Sequence, residues 1–207
     1  MAWETYLAFI AASIIMLLVP GPTVLLVIAH SLREGKRATL PTIAGVMAGD
    51  ALAVTVSLAG LGALIATSAT LFTALKWVGA AYLIWLGIRT LMQAPRKLGS
   101  TERDAPATSR KMAANAFVVT ALNPKGIAFF VAFLPQFVDP TAATTPQLAI
   151  MAISFVCLAG TTNLGYALAA SRTSVLIQRP LWQRATQWTS GCALIGAGVL
   201  TAAMRRT

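Results

Sequence analysis

Residues 112–134 read MAANAFVVTALNPKGIAFFVAFL. At a rise of about 1.5 Å per residue this stretch is long enough to cross the roughly 30 Å hydrocarbon core of a bilayer. Its middle, Asn123-Pro124-Lys125-Gly126, breaks the pattern. A proline inside a helix removes a backbone donor and clashes with the preceding turn, at about 3 kcal/mol. A lysine at bilayer depth costs roughly 2.5 to 3.5 kcal/mol more. On an unbroken helix Asn123 and Lys125 would point about 200° apart, so they face one cavity only if the backbone unwinds at Pro124. The stretch predicts a membrane helix interrupted for a purpose.

Outward from it, apolar stretches recur at 3–29, 39–66, 71–92, 147–170 and 188–204, separated by short polar breaks. With 112–134 they predict an all-α membrane protein of six transmembrane helices. The composition agrees: 57% of the 207 residues are hydrophobic and 11% are charged, too little polar surface to coat a water-soluble globule. The first stretch has Glu4 in place of a basic leader and is too long for a signal peptide, so it is read as a retained helix. The polar segment 94–111, rich in Ser, Thr, Pro and charge, divides the chain into three-helix halves, 1–93 and 112–207.

A net charge of +10 raises the question of nucleic acid, but recognition would gather the basic residues on one face. Here they lie in the breaks, as membrane insertion requires. The first, third and fifth connections carry twelve of them: Arg33, Lys36, Arg37, Arg89, Arg96, Lys97, Arg103, Arg110, Lys111, Arg172, Arg179 and Arg184. The other side carries Lys76, Arg205 and Arg206, and Lys125 completes the sixteen. The linker 94–111 is therefore expected in the cytoplasm and both termini in the periplasm. Arg205 and Arg206 oppose this, so a five-span alternative puts the C-terminus in the cytoplasm. Between the fifth and sixth spans, Leu181, Trp182, Ala185 and Trp188 have the spacing of a short helix on the membrane surface.

Pro20-Gly21-Pro22 should interrupt the first helix as Pro124 interrupts the fourth, and lipid offers nothing to the backbone groups set free. Gly49-Asp50 places an acid near the middle of the second span, at a cost like that of Lys125. An Asp50–Lys125 ion pair that merely fixes the bundle is the structural alternative. Asn163 in the fifth span is the polar counterpart of Asp50, and the echo between halves suggests two inverted three-helix repeats with broken first and fourth helices. Gly45 with Gly49, and Gly79 with Gly87, read as close-packing positions. His30, at the predicted cytoplasmic end of the first helix, is more simply solvated than a proton relay. Cys157 and Cys192, isolated in different spans, read as packing residues.

Taken together, Pro20-Gly21-Pro22, Gly45-x-x-x-Gly49-Asp50, Tyr82-Leu83-Ile84-Trp85-Leu86-Gly87, and Asn123-Pro124-Lys125 followed by Phe133-Leu134-Pro135-Gln136-Phe137 resemble the LysE/RhtB family of amino-acid exporters. The likeness runs along nearly the whole chain and is weakest in 94–110 and the last two spans. It implies a multi-pass protein of the bacterial inner membrane that exports amino acids by proton antiport. The family's membrane aspartate and Asn-Pro-Lys segment correspond to Asp50 and to Asn123, Pro124 and Lys125. The resemblance does not name the substrate.

The expected mechanism places a cavity between the halves, lined by Pro20, Gly21, Pro22 and by Asn123 to Gly126. Asp50 would take a proton or the substrate ammonium, and Lys125 with freed backbone amides the carboxylate. The expected partners are an amino acid, protons and membrane lipid, with no nucleic acid, cofactor or metal. A homo-oligomer is compatible with such a bundle. A divalent-cation exporter of related architecture is disfavoured by the lack of a His or Cys cluster, and a membrane thiol-disulfide carrier by cysteines on separate spans.

Overall fold

The first apolar stretch is two helices. In the computed structural model, which describes residues 1–67, 69–92, 107–139, 141–172 and 180–203, α1 (Trp3–Leu18) ends in extended backbone at Val19. Gly21 is also extended, and α2 (Pro22–Glu34) opens with proline at its first position, where the missing N–H costs no helical bond. Gly35, at φ +61°, turns the chain in a conformation that L side chains avoid. A 3₁₀ turn (Gly35–Ala38) then leads into α3 (Thr39–Thr67), and α4 (Ala69–Met92) follows.

The fourth stretch is broken as well. Helix α5 (Ser109–Ala121) stops before Asn123, and α6 (Pro124–Ala128) restarts with proline at its first position. A π-helical turn (Phe129–Phe133) and a 3₁₀ turn (Leu134–Phe137) extend it. Helices α7 (Thr144–Arg172) and α8 (Pro180–Ala203) complete the regular structure, which is helical throughout the described residues.

Two boundaries differ from expectation. Helix α5 begins at Ser109 rather than 112 because the Thr108 hydroxyl accepts from the Lys111 N–H at 3.3 Å, an N-cap that the basic pair after it obscured. Of the linker 94–111, residues 94–106 lie outside the described residues. Helix α8 starts at Pro180 rather than 188, so Leu181, Ala185 and Trp188 belong to its first turns and form no separate surface helix. No proline interrupts 181–203, so nothing separates the amphipathic start from the apolar remainder.

Among the described residues three helical runs are long and apolar enough to cross a bilayer: Pro22–Gly60, which the turn at Gly35 divides, Ser109–Phe137 and Thr144–Ser171. Trp3–Leu18 and the Trp77–Met92 part of α4 are shorter apolar helical stretches. Large apolar side chains such as Ile15, Val56, Val78, Ile153 and Val199 point outward. That arrangement suits lipid as the solvent.

Close approach is made by glycine. A Cβ on Gly49 would stand 2.7 Å from the Phe117 carbonyl, and one on Gly45 2.9 Å from the Ala116 Cβ. Rising numbers meet rising numbers, so α3 and α5 run parallel. Gly87 abuts Gly191 and Ile195, whereas Gly198 abuts Ala80 and Ile84, so α4 and α8 run antiparallel. Gly79 faces Ala132, so Gly79 and Gly87 serve two different neighbours. The Tyr6 hydroxyl shares a hydrogen bond with Ser154 at 2.8 Å and the Tyr166 hydroxyl donates to the Leu18 carbonyl at 2.7 Å. Helix α1 therefore lies parallel to α7.

The core is aromatic. Phe9, Phe129, Phe130, Phe133, Phe137 and Phe155 pack with tilted and edge-to-face rings, the closest pair being Phe130 and Phe155 at 4.8 Å. Cys157 and Cys192 are exposed free thiols instead of packing residues. Buried Phe155 and Ala159 flank Cys157 at two residues' distance, which on a helix turns Cys157 away from the core. Gln147 ties the loop before α7: its side chain accepts from the Asp139 N–H at 2.9 Å and donates to the carbonyls of Asp139 and Ala143 at 3.0 and 3.1 Å.

Candidate functional site

A helix that ends inside a bundle leaves its last carbonyls without intrahelical donors. At the end of α1 those carbonyls are met by side chains from the other half of the chain. The buried Lys125 ammonium donates to the Met16 carbonyl at 3.0 Å and to the Val19 carbonyl at 2.6 Å. Tyr166 covers the Leu18 carbonyl between them. Gly21 provides the passage, since a Cβ there would lie 3.2 Å from Lys125 Cε and 3.3 Å from Nζ.

The second break is joined to the first. Asn123 Oδ1 accepts from the Lys125 N–H at 3.1 Å and so caps α6. Its Nδ2 donates to Thr23 Oγ1 at 3.1 Å, and the same oxygen accepts from the Thr120 hydroxyl at 3.2 Å. Thr23 is the second residue of α2, so each broken helix holds the start of the other. The unwound backbone at Pro124 thus lets Asn123 and Lys125 serve one site, as their spacing demanded.

Asp50 is buried in α3, one residue past the glycine contact with α5. It lies within electrostatic reach of Lys125. Among the described residues neither a hydrogen bond nor an ion pair closes on its carboxylate. The Asp50–Lys125 pair of the structural alternative is therefore not made, because the α1 carbonyls hold the ammonium. Pro20, Gly21, Pro22, Asn123, Pro124 and Lys125, with Leu86, Thr90 and Leu194, line a cavity of about 50 Å³. That holds about one or two waters.

Asn163 is buried in α7, where Nδ2 donates to the Ala159 carbonyl at 2.9 Å while Oδ1 has no partner among the described residues. His30 Nδ1 and Thr42 Oγ1 share a hydrogen bond at 3.1 Å. His30 thus joins α2 to α3 and is more than a solvated side chain. Sequence reasoning passed over Thr23, Thr120 and Tyr166; each is an ordinary span residue until its partner is known. Among the described residues no three His, Cys, Asp or Glu side chains gather to hold a metal ion.

Outward-facing apolar helices around buried polar groups at paired helix breaks define a multi-pass membrane protein. Its sequence matches the LysE type translocator family over residues 14–205, and the chain belongs to that family. Relatives include a protein of Vibrio cholerae described only as an uncharacterized membrane protein, 33% identical over 96% of this chain and 97% of its own length. A homoserine/homoserine lactone efflux protein of Salmonella typhimurium is 31% identical over 99% of both chains. A leucine efflux protein of Enterobacter is 32% identical over 75% of this chain and 71% of its own. No solved structure matches.

Proposed function

We propose that this protein exports amino acids or close derivatives across the bacterial inner membrane as a proton-coupled secondary transporter. The observation that carries the reading is the stitched pair of broken helices, with Lys125 and Asn123 reaching into the first break and Asp50 nearby. Relatives named for homoserine, homoserine lactone and leucine efflux give the substrate class.

The chemistry suits a zwitterion. A helix that ends beside one that begins presents carbonyls to an ammonium group and partial positive charge to a carboxylate; α1 and α2 do this across Val19 to Gly21. Asp50 takes the proton, and Lys125 takes the substrate carboxylate when it leaves the carbonyls. A cavity of about 50 Å³ is too small for an amino acid, so transport requires the halves to part.

Six spans in two inverted three-helix halves are part of this reading, and the helix directions are consistent with it. The parallel pairs α3 with α5 and α1 with α7 exchange with each other when the halves are swapped, and the antiparallel pair α4 with α8 maps onto itself. The sides sort accordingly. The Ala107 N–H donates to Glu34 Oε1 at 3.2 Å, and the N-terminal ammonium lies 3.8 Å from Asp139. The first pair joins the ends assigned to the cytoplasm, the second those assigned to the periplasm.

The test is Asp50→Asn in proteoliposomes with an imposed proton gradient, using leucine, homoserine and homoserine lactone. Export should be lost while thermal unfolding stays near wild type. Retained gradient-driven export overturns the coupling role. A deletion strain and an overexpressing strain challenged with an amino-acid panel, read as resistance and intracellular pools, identify the substrate.

A further inference from the structure

The Lys125 ammonium sits where a buried cation needs acceptors, but the acceptors are not those that opposite charge would select. Asp50 is within electrostatic reach, yet Nζ bonds the carbonyls of Met16 and Val19. These belong to the backbone at the end of α1, and the donor that reaches them comes from the other half of the chain. Gly21 is bare on the side where the lysine passes, with Cε and Nζ at 3.2 and 3.3 Å from where a Cβ would stand. A buried acceptor without a partner among the described residues, Asn163 Oδ1, lies three residues before Tyr166 on α7, and Tyr166 itself closes the Leu18 carbonyl.

We propose that the carbonyls of Met16 and Val19 form an ammonium-binding cradle, held by Lys125 in the conformation described and by the α-ammonium of the exported amino acid when Lys125 swings out. The identity of the second occupant rests on the amino-acid export reading. Lys125 is thus a tethered competitor for the substrate. A primary ammonium is what the cradle already accepts, at ordinary charge-assisted hydrogen-bond lengths. Asp50 and the substrate carboxylate both offer the displaced Nζ a new partner, so leaving the cradle strands no charge. The exchange also couples the halves, because Lys125 lies in the first turn of α6 while the carbonyls it releases end α1.

The test uses a tether-free ammonium. Wild type and Lys125→Ala are purified in detergent, and binding of propylammonium is measured by thermal shift, with propanol, sodium chloride and potassium chloride as controls. The cradle predicts that propylammonium stabilises Lys125→Ala, with an apparent Kd lower than in wild type by about tenfold or more, as one charge-assisted hydrogen bond would give. The controls should show no such preference. An equal response in both proteins, a response matched by propanol, or one given by sodium or potassium alone overturns the proposal. Lys125→Ser, which removes the tethered ammonium with a different small side chain and leaves Gly21 bare, should respond as Lys125→Ala does. If Lys125→Ala does not fold, the Lys125→Ser result decides, and a wild-type response there also overturns the proposal. The readout involves no transport. Failed export with an intact propylammonium response rejects the export reading, whereas intact export without the response rejects the cradle.

Discussion

Thr23 Oγ1 accepts two hydrogen bonds from residues about a hundred positions away, and in doing so joins the two broken segments. Thr23→Val keeps the shape but leaves the buried Asn123 amide and Thr120 hydroxyl without an acceptor, at a cost of about 1–3 kcal/mol. Thermal unfolding should show that loss for Thr23→Val and little for Thr23→Ser. The contrast with Lys125 explains what could be read from sequence at this scale. A lysine, an aspartate or a proline inside an apolar span is expensive wherever it lands, so Pro20, Pro22, Asp50, Pro124 and Lys125 declared themselves. Threonine and tyrosine cost little there, and only the partner across the bundle gives Thr23 and Tyr166 their roles. The direction of Lys125 was also hidden: the sequence suggested Asp50 or a substrate carboxylate, and the structure supplies carbonyls.

At the scale of elements, α3 lies on α5 through two glycines four residues apart. Gly49→Val would drive its side chain into the Phe117 carbonyl and Thr120, an overpacking that typically costs 1–3 kcal/mol, approximately. Backbone on the receiving side leaves little room to relax, so a reduced yield of folded protein and a lower Tm are expected. Gly165 has nothing within 4 Å of a Cβ, and Gly165→Ala should leave Tm unchanged or raise it slightly through helix propensity alone. A comparison of the two by thermal unfolding separates interface packing from a general intolerance of substitution. The small-residue spacing at Gly45 and Gly49 was legible as a packing motif. The separate duties of Gly79 and Gly87 were not, because they depend on which neighbour reaches each level of α4. The single helix from Pro180 was missed for a related reason: an amphipathic start and an apolar continuation look like two elements when hydropathy is the only signal.

For the whole molecule, the contacts bring Glu34 to Ala107 and Met1 to Asp139, and the basic residues in the breaks supply an expectation of which side each pair faces. The expectation is that both termini face the periplasm and the 94–111 linker the cytoplasm. Alkaline phosphatase fused after Thr207 should be active, and the same enzyme inserted in 94–106 should be inactive. An inactive C-terminal fusion favours the five-span arrangement, in which Arg205 and Arg206 obey the positive-inside rule.

The solvent, the helical class, the sites of interruption and the buried charges are legible along the chain, because each follows from a local cost that a bilayer imposes on any chain. The resemblance carried by its motifs agrees with membership in the LysE type translocator family. What the broken backbone meets emerges from the way the helices pack. The carbonyls of Met16 and Val19 are capped by a lysine more than a hundred residues away, while Asp50 is left without a direct partner among the described residues. Such pairings depend on how helices are brought together by glycine contacts and an aromatic core, and no pattern along one strand of sequence encodes which orphaned group will find which donor.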